Sequence, residues 1–426
     1  MIEFLLIGMF LYFLHRLIKK IGKSFPLFEL TALLYLLQYC IAPILEYKFG
    51  ELGSMKIPIE EYLPFATFAT LAFIAGLFVY RPKINLYRIN INPQIASKIG
   101  RFFLVTSLVS SFAILLLPES LSATFNFFVL LKLPGLFSLI FSNKKLDKFL
   151  VKIILFEVAI SSILSGVLIQ FIVISIFTSM FYSIRYNISN KLKISIILIG
   201  VLFLTVYQGV KADYRELVWE KKVSVTEKLF LITELIDFNS FKAVVNSDIS
   251  NNESVIKTIH RLNQGWQTSM VMYQVPRRVP FEYGKTLAID IFSSIAPRFL
   301  YPNKRTVNDY KHFNYYTGYN LNSKTAMTIG VIGDIYINFG LFGSIFALFF
   351  LGMFFSWFFN WFFRKFIYSN PINLIWLPFL FSYLIRPGNE LYMVLNHLIK
   401  GLFVCLIVIK LIYPFLIKSI TTKSKV

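Results

Sequence analysis

Cysteine and charge are the two scarcities of this 426-residue chain. Its two cysteines, Cys40 and Cys405, both lie inside apolar runs, so neither a disulfide framework nor a cysteine metal site is suggested. Both read as small core hydrophobes. Charged residues supply 15 % of the chain against 56 % hydrophobic ones, a balance that one water-soluble core could not hide without large exposed apolar patches. There is no Gly-rich phosphate loop, no HExxH and no GxSxG, which removes the commonest nucleotide, zinc-protease and serine-hydrolase signatures. Acidic residues are few, 22 against 43 Lys and Arg, and the net charge of +21 raises nucleic acid as a partner until the bases are located.

What is present in quantity is long apolar runs rich in Phe and Tyr. Runs of membrane-spanning length fall near residues 2–18, 26–46, 62–80, 102–118, 122–141, 149–164, 166–184, 193–209, 338–362, 372–386 and 391–414. The first carries its positive cluster (Arg16, Lys19, Lys20, Lys23) after the apolar run and not before it, so it reads as a retained helix and not as a signal peptide. The stretch Leu150 to Ile184 could be one over-long helix or two short ones meeting near Ser165-Gly166. Loop charge decides for two. With eleven helices the alternate loops hold Arg16/Lys19/Lys20/Lys23, Arg81/Lys83/Arg88/Lys98/Arg101, Lys144/Lys145/Lys148/Lys152, Arg185/Lys191/Lys193, Arg364/Lys365 and Lys410/Lys418/Lys423/Lys425, all on one side. By the positive-inside rule that side is the cytoplasm, with the N-terminus outside and the C-terminus inside. A single acid, Asp147, sits among these bases, so their net +21 equals that of the whole chain. The basic excess is an orientation signal, and nucleic acid is not needed to explain it.

Three divisions follow: a transmembrane bundle over 1–209, an extracytoplasmic loop over 210–337, and C-terminal transmembrane helices over 338–426. The loop is too long to lack a function. Its first part, Val223 to Met272, has a helical stripe (Ile256, Ile259, Leu262, Trp266, Met270, Tyr273) that predicts amphipathic helices lying on the membrane face. From Pro276 onward, frequent Pro and Gly predict an irregular, shaped loop. Within it Ile295-Ala-Pro-Arg-Phe-Leu-Tyr-Pro-Asn-Lys304 sets Arg298 and Lys304 on a proline-stiffened aromatic turn, suited either to phosphate binding or to anchoring on lipid headgroups.

The segment Gly330-Val-Ile-Gly-Asp-Ile-Tyr-Ile-Asn-Phe-Gly-Leu-Phe-Gly343 places Asp334 and Asn338 on one face of a helix entering lipid. Its four glycines would let a helix or ligand approach closely. A carboxylate at membrane depth needs a partner; Asp334 is a functional candidate on that ground, or a first-turn charge favoured by the helix dipole. Arg386, in the short loop Arg386-Pro-Gly-Asn-Glu390, is expected to pair with Glu390 or Asp334. Lys132 and Glu157 are expected to pair between neighbouring helices.

The chain resembles the Wzy-type O-antigen/capsular polysaccharide polymerases (oligosaccharide repeat unit polymerases), integral membrane enzymes of lipopolysaccharide and capsule synthesis. The likeness lies in the helix count, the one large loop late in the chain, "PRFLYPNK", and "GDIYINFGLFG" opening the next helix. Tyr301 stands where Trp is usual and Asp334 where Glu is usual, and both changes keep the chemistry. By motif the resemblance covers about residues 205–345.

What the resemblance implies is an all-α, polytopic membrane protein of about eleven transmembrane helices with a large extracytoplasmic loop, akin to a GT-C-type membrane glycosyltransferase. It implies residence in the inner membrane of a bacterium and glycosyl transfer without metal or cofactor, between undecaprenyl-pyrophosphate-linked glycans. Membrane lipids and a chain-length regulator would be its other partners. Such chemistry needs cations for pyrophosphate and a base for the acceptor hydroxyl. The cations would be Arg215, Arg261, Arg298, Lys304 and Arg386, with Asn338 beside them, and the base Asp334 or His312, between which the sequence does not choose. Two other readings stand beside this one: a lipid-linked oligosaccharide flippase, and an O-antigen ligase.

Overall fold

A computed structural model describes residues 2–50, 54–80, 90–118, 125–220, 226–228, 230, 252–296, 301, 305, 309–323 and 325–416, without the side chains of 212, 213 and 215–220. Among them every regular element is helical. In chain order these are α1 (Ile2–Lys20), α2 (Leu27–Phe49), α3 (Ile59–Leu77), α4 (Pro93–Leu116), α5 (Phe125–Ile140), α6 (Lys145–Leu164), α7 (Ile169–Tyr186) and α8 (Asn190–Glu220). Then come α9 (Glu253–Leu262), α10 (Gly265–Gln274), α11 (Lys285–Ile295), α12 (Tyr310–Thr317), α13 (Val331–Ile367), α14 (Pro371–Phe381) and α15 (Leu391–Leu416).

Six helices, α2, α4, α7, α13, α15 and the Asn190–Lys211 part of α8, are long and apolar enough to cross a membrane. Large side chains lie bare on these helices, among them Phe112, Leu116, Phe342, Phe346 and Phe403, as an apolar solvent requires and water would penalise. The chain is a helical membrane protein. The other five expected spans are also helical; α5 and α14 are shorter, while α1, α3 and α6 carry ionisable residues within or near their apolar length. Leu150 to Ile184 is two helices: α6 stops at Leu164, Gly166 turns at φ 68°, and α7 starts at Ile169.

Several ionisable groups in the bundle have partners of opposite charge. Glu29 of α2 takes Arg16 at 3.1 Å and Lys20 at 2.6 Å, and Lys132 meets Glu157 at 2.7 Å, the expected pair. Asp147, fully buried, accepts from Arg101 at 2.6 Å and Ser142 at 2.5 Å.

The closest helix crossing joins α3 to α13 at Gly76 and Gly352, where a Cβ on either would strike the other helix's backbone. The glycines expected to admit a neighbouring helix act differently. Gly340 makes room for the Phe281 ring, and Gly330 for the Tyr39 hydroxyl of α2; a Cβ at Gly333 would meet Ile329, just ahead of the helix, and one at Gly343 would meet Phe339 of the same helix.

The stretch after Pro276, expected to be irregular, contains α11 and α12. Pro and Gly here punctuate short helices and do not exclude them. Gly284, at φ 88°, precedes α11; Asp309 caps α12 through Lys311 N at 3.0 Å, and Gly318 at φ 67° ends it. Helix α8 also runs past the expected boundary at 209, and α13 begins before 338. Arg81, Lys83, Arg88, Lys418, Lys423 and Lys425 lie outside the described residues, as does most of the expected amphipathic stretch before Asn252.

Candidate functional site

Helix α13 opens at Gly330, whose φ of 83° and ψ of 160° suit only glycine. The first turn then carries Asp334, and Gly340 (φ 63°, ψ −157°) breaks the helix two turns later. A break frees carbonyls, and Glu282 N donates to one of them, Ile337 O, at 3.0 Å. Asn338 Nδ2 bonds back to Asp334 O at 2.8 Å, and its Oδ1 accepts from Thr286 Oγ1 at 2.9 Å. The turn bearing Asp334 is thereby tied to the start of α11.

The N-termini of α13 and α15 exchange carboxylates. Asp334 accepts from Leu391 N, the first residue of α15, at 2.9 Å; Glu390 accepts from Ile329 N, just before α13, at 3.4 Å. Asp334 satisfies an orphan amide of α15 and Glu390 the amide just ahead of α13, each at a positive dipole end. Arg305 lies between them. Its Nη2 is 3.2 Å from Glu390 Oε2 and 3.1 Å from Asp290 Oδ2 of α11, and its guanidinium covers the Tyr392 ring at 5.1 Å. His312 of α12 brings Nε2 to 3.6 Å from Asp334 Oδ1, an ion-pair separation beyond hydrogen-bond length, with its ring on Tyr316.

Burial dominates the electrostatics. It pushes Asp290 up to about 7 against the pull of Arg305. It pushes Glu390, with help from the Asp334 carboxylate, up to about 8. It lowers His312, which is therefore neutral at neutral pH. Burial also works against charge on Arg305, but Glu390, Asp334 and Asp290 outweigh it and keep the guanidinium protonated. Among the described residues Arg305 Nε and Nη1 are buried without an acceptor, although the side chain keeps 11 % exposure. In this arrangement the guanidinium can bind an oxyanion, and the neutral histidine can accept a proton from a hydroxyl.

Of the residues expected from sequence, Asp334, Asn338 and His312 are brought to this cluster. Arg386 is not paired as expected. Its guanidinium rests on the Tyr383 ring at 5.3 Å, it has no carboxylate partner among the described residues, and its Nε lacks an acceptor. The reason is that Asp334 is held by Leu391 N, and Glu390 turns to Ile329 N and Arg305. Arg261 ends α9 with an exposed side chain and no contact to the cluster. Arg298, Lys304 and the side chain of Arg215 lie outside the described residues.

Sequence reasoning missed Asp290 and Arg305 and saw Glu390 only as a partner for Arg386. Arg305 directly follows Lys304 in the basic turn, and Asp290 is the lone acid in the apolar run Leu287 to Phe292; both were visible. Their meeting with Glu390 was not. No family model, curated protein or solved structure matches the chain.

Proposed function

We propose that this chain is a membrane glycosyltransferase that polymerises undecaprenyl-pyrophosphate-linked oligosaccharide units into O-antigen or capsular polysaccharide. The observation that carries this reading is the buried Arg305, whose Nε–H and Nη1–H have no acceptor among the described residues, between the N-termini of two membrane helices and beside the His312–Asp334 pair. A departing pyrophosphate needs preorganised positive charge, which arginine and helix N-termini provide. The acceptor sugar needs a base. A neutral His312 aligned by Asp334 supports that role, and Asp334 then stabilises the imidazolium formed. Arg298 and Lys304, close to Arg305 in sequence, would complete the cradle from the same turn. In this reading all eleven apolar helices span the inner membrane of a bacterium, as in GT-C-type enzymes, with the cluster on the outer face and the basic loops in the cytoplasm.

Purified protein in detergent, given lipid-linked repeat units alone, should yield a ladder of longer lipid-linked glycans. Unit length left unchanged would overturn the reading and favour the flippase. Transfer that requires lipid A core as acceptor would make the chain a ligase.

A further inference from the structure

Resting on that reading, we propose that Glu390 is an internal competitor for Arg305: its carboxylate occupies the position of the substrate's diphosphate and gives way to it as a neutral acid. The geometry is that of an oxyanion site. Oε1 takes the amide just ahead of the α13 N-cap, Ile329 N at 3.4 Å, and Oε2 faces an arginine, Nη2 at 3.2 Å. These are the donors that phosphate oxygens seek. Glu390 is fully buried, so its carboxylate cannot be set there for solvation.

Charge requires a vacating group. Among the described residues the charged and titratable groups facing Glu390 are Asp334 from α13, Asp290 from α11, Arg305 over Tyr392, and His312 of α12 beside Asp334. With three carboxylates ionised around one guanidinium, a diphosphate would enter a negative site and be repelled. Asp334 is the least free to leave, since Leu391 N holds it at 2.9 Å and His312 lies beside it. Asp290 lies on Arg305 from the middle of its own helix. Glu390 is held by its longer amide bond and by an ion pair that its Oε2 does not complete as a hydrogen bond. The exchange is non-covalent: Glu390 takes one proton from solvent, its ion pair with Arg305 opens, and diphosphate oxygens close on Arg305 and Ile329 N–H. The carboxyl's pKa of about 8 makes that proton accessible near neutrality.

The test is calorimetric titration of the full-length protein in detergent with inorganic pyrophosphate, for wild type, Glu390→Gln and Arg305→Ala. Glu390→Gln mimics the neutral acid, so it should bind about tenfold tighter than wild type near about pH 9, and the two should converge near about pH 6. Arg305→Ala should lose binding. Equal affinity of wild type and Glu390→Gln across that range, with Arg305-dependent binding intact, would overturn the competitor role and leave the glycosyltransferase reading standing. No binding by either folded protein would overturn both. Should Glu390→Gln fail to fold, Asp290→Asn decides, since it removes the other acid on Arg305 that titrates over that range; sulfate is the probe because it keeps its charge there. Affinity should rise about tenfold from about pH 9 to about pH 6, and a flat profile would overturn the inference.

Discussion

Arg305 places one terminal nitrogen on two acids while Nε and Nη1 meet no acceptor among the described residues, a division that the fork geometry of a guanidinium allows and a lysine ammonium does not. Arg305→Lys should therefore keep the charge yet lose about 100-fold in polymer formed, at an unchanged protein level. Near-normal polymer from this variant would reduce Arg305 to a generic counter-charge. His312 gives a second prediction at this scale. Burial lowers its pKa, so the neutral, base-competent form persists below the usual histidine range. Acid loss of activity should accordingly set in below about pH 6.5, the ordinary histidine midpoint. Asp334→Asn, which removes the carboxylate that favours the imidazolium, should move that limb further down. An acid limb unmoved in Asp334→Asn would remove His312 from the role of base.

At the scale of elements, the site depends on two glycines that punctuate α13. Gly340 adopts a φ of 63° with ψ −157°, a region closed to side chains, and the Phe281 ring lies 3.0 Å from where its Cβ would be. Gly340→Ala should cost about 1–3 kcal/mol by strain alone. Straightening the helix would also withdraw the Ile337 carbonyl from Glu282 N and displace the turn that holds Asp334. A lower unfolding temperature in detergent together with lost polymer is the expected result. Wild-type stability and activity in Gly340→Ala would show that the break does not position Asp334. This feature was half legible. The glycines stood out in the sequence, but a spacing of three and four suggests helix contact, and only the packed structure shows Phe281 and Tyr39 in those places.

For the molecule as a whole, the proposed orientation rests on loop charge, and the structure supplies places to probe it. Ser254 packs against Gly209, whereas its neighbour Glu253 is exposed, as is Ser369 after α13. Both native cysteines are buried and should stay silent. Glu253→Cys should react with a membrane-impermeant maleimide in intact spheroplasts, and Ser369→Cys only after permeabilisation. The reverse pattern would invert the topology and place the Arg305 cluster in the cytoplasm, away from any lipid-linked glycan on the outer face.

The sequence by itself determined that this is an all-helical membrane protein, where its apolar helices lie, and that Leu150 to Ile184 is broken, because hydrophobic length and loop charge are local properties of the chain. It also marked Asp334, Asn338 and His312, whose residue types are costly or unusual where they stand. The choice of partners was decided only by tertiary structure. Arg386 was the nearest base to Glu390 in sequence, yet Arg305, 85 positions away, takes it, and Leu391 N takes Asp334. Which charge a buried carboxylate meets depends on how helix ends are brought together in space, and a periodicity of one helix carries no information about the end of another.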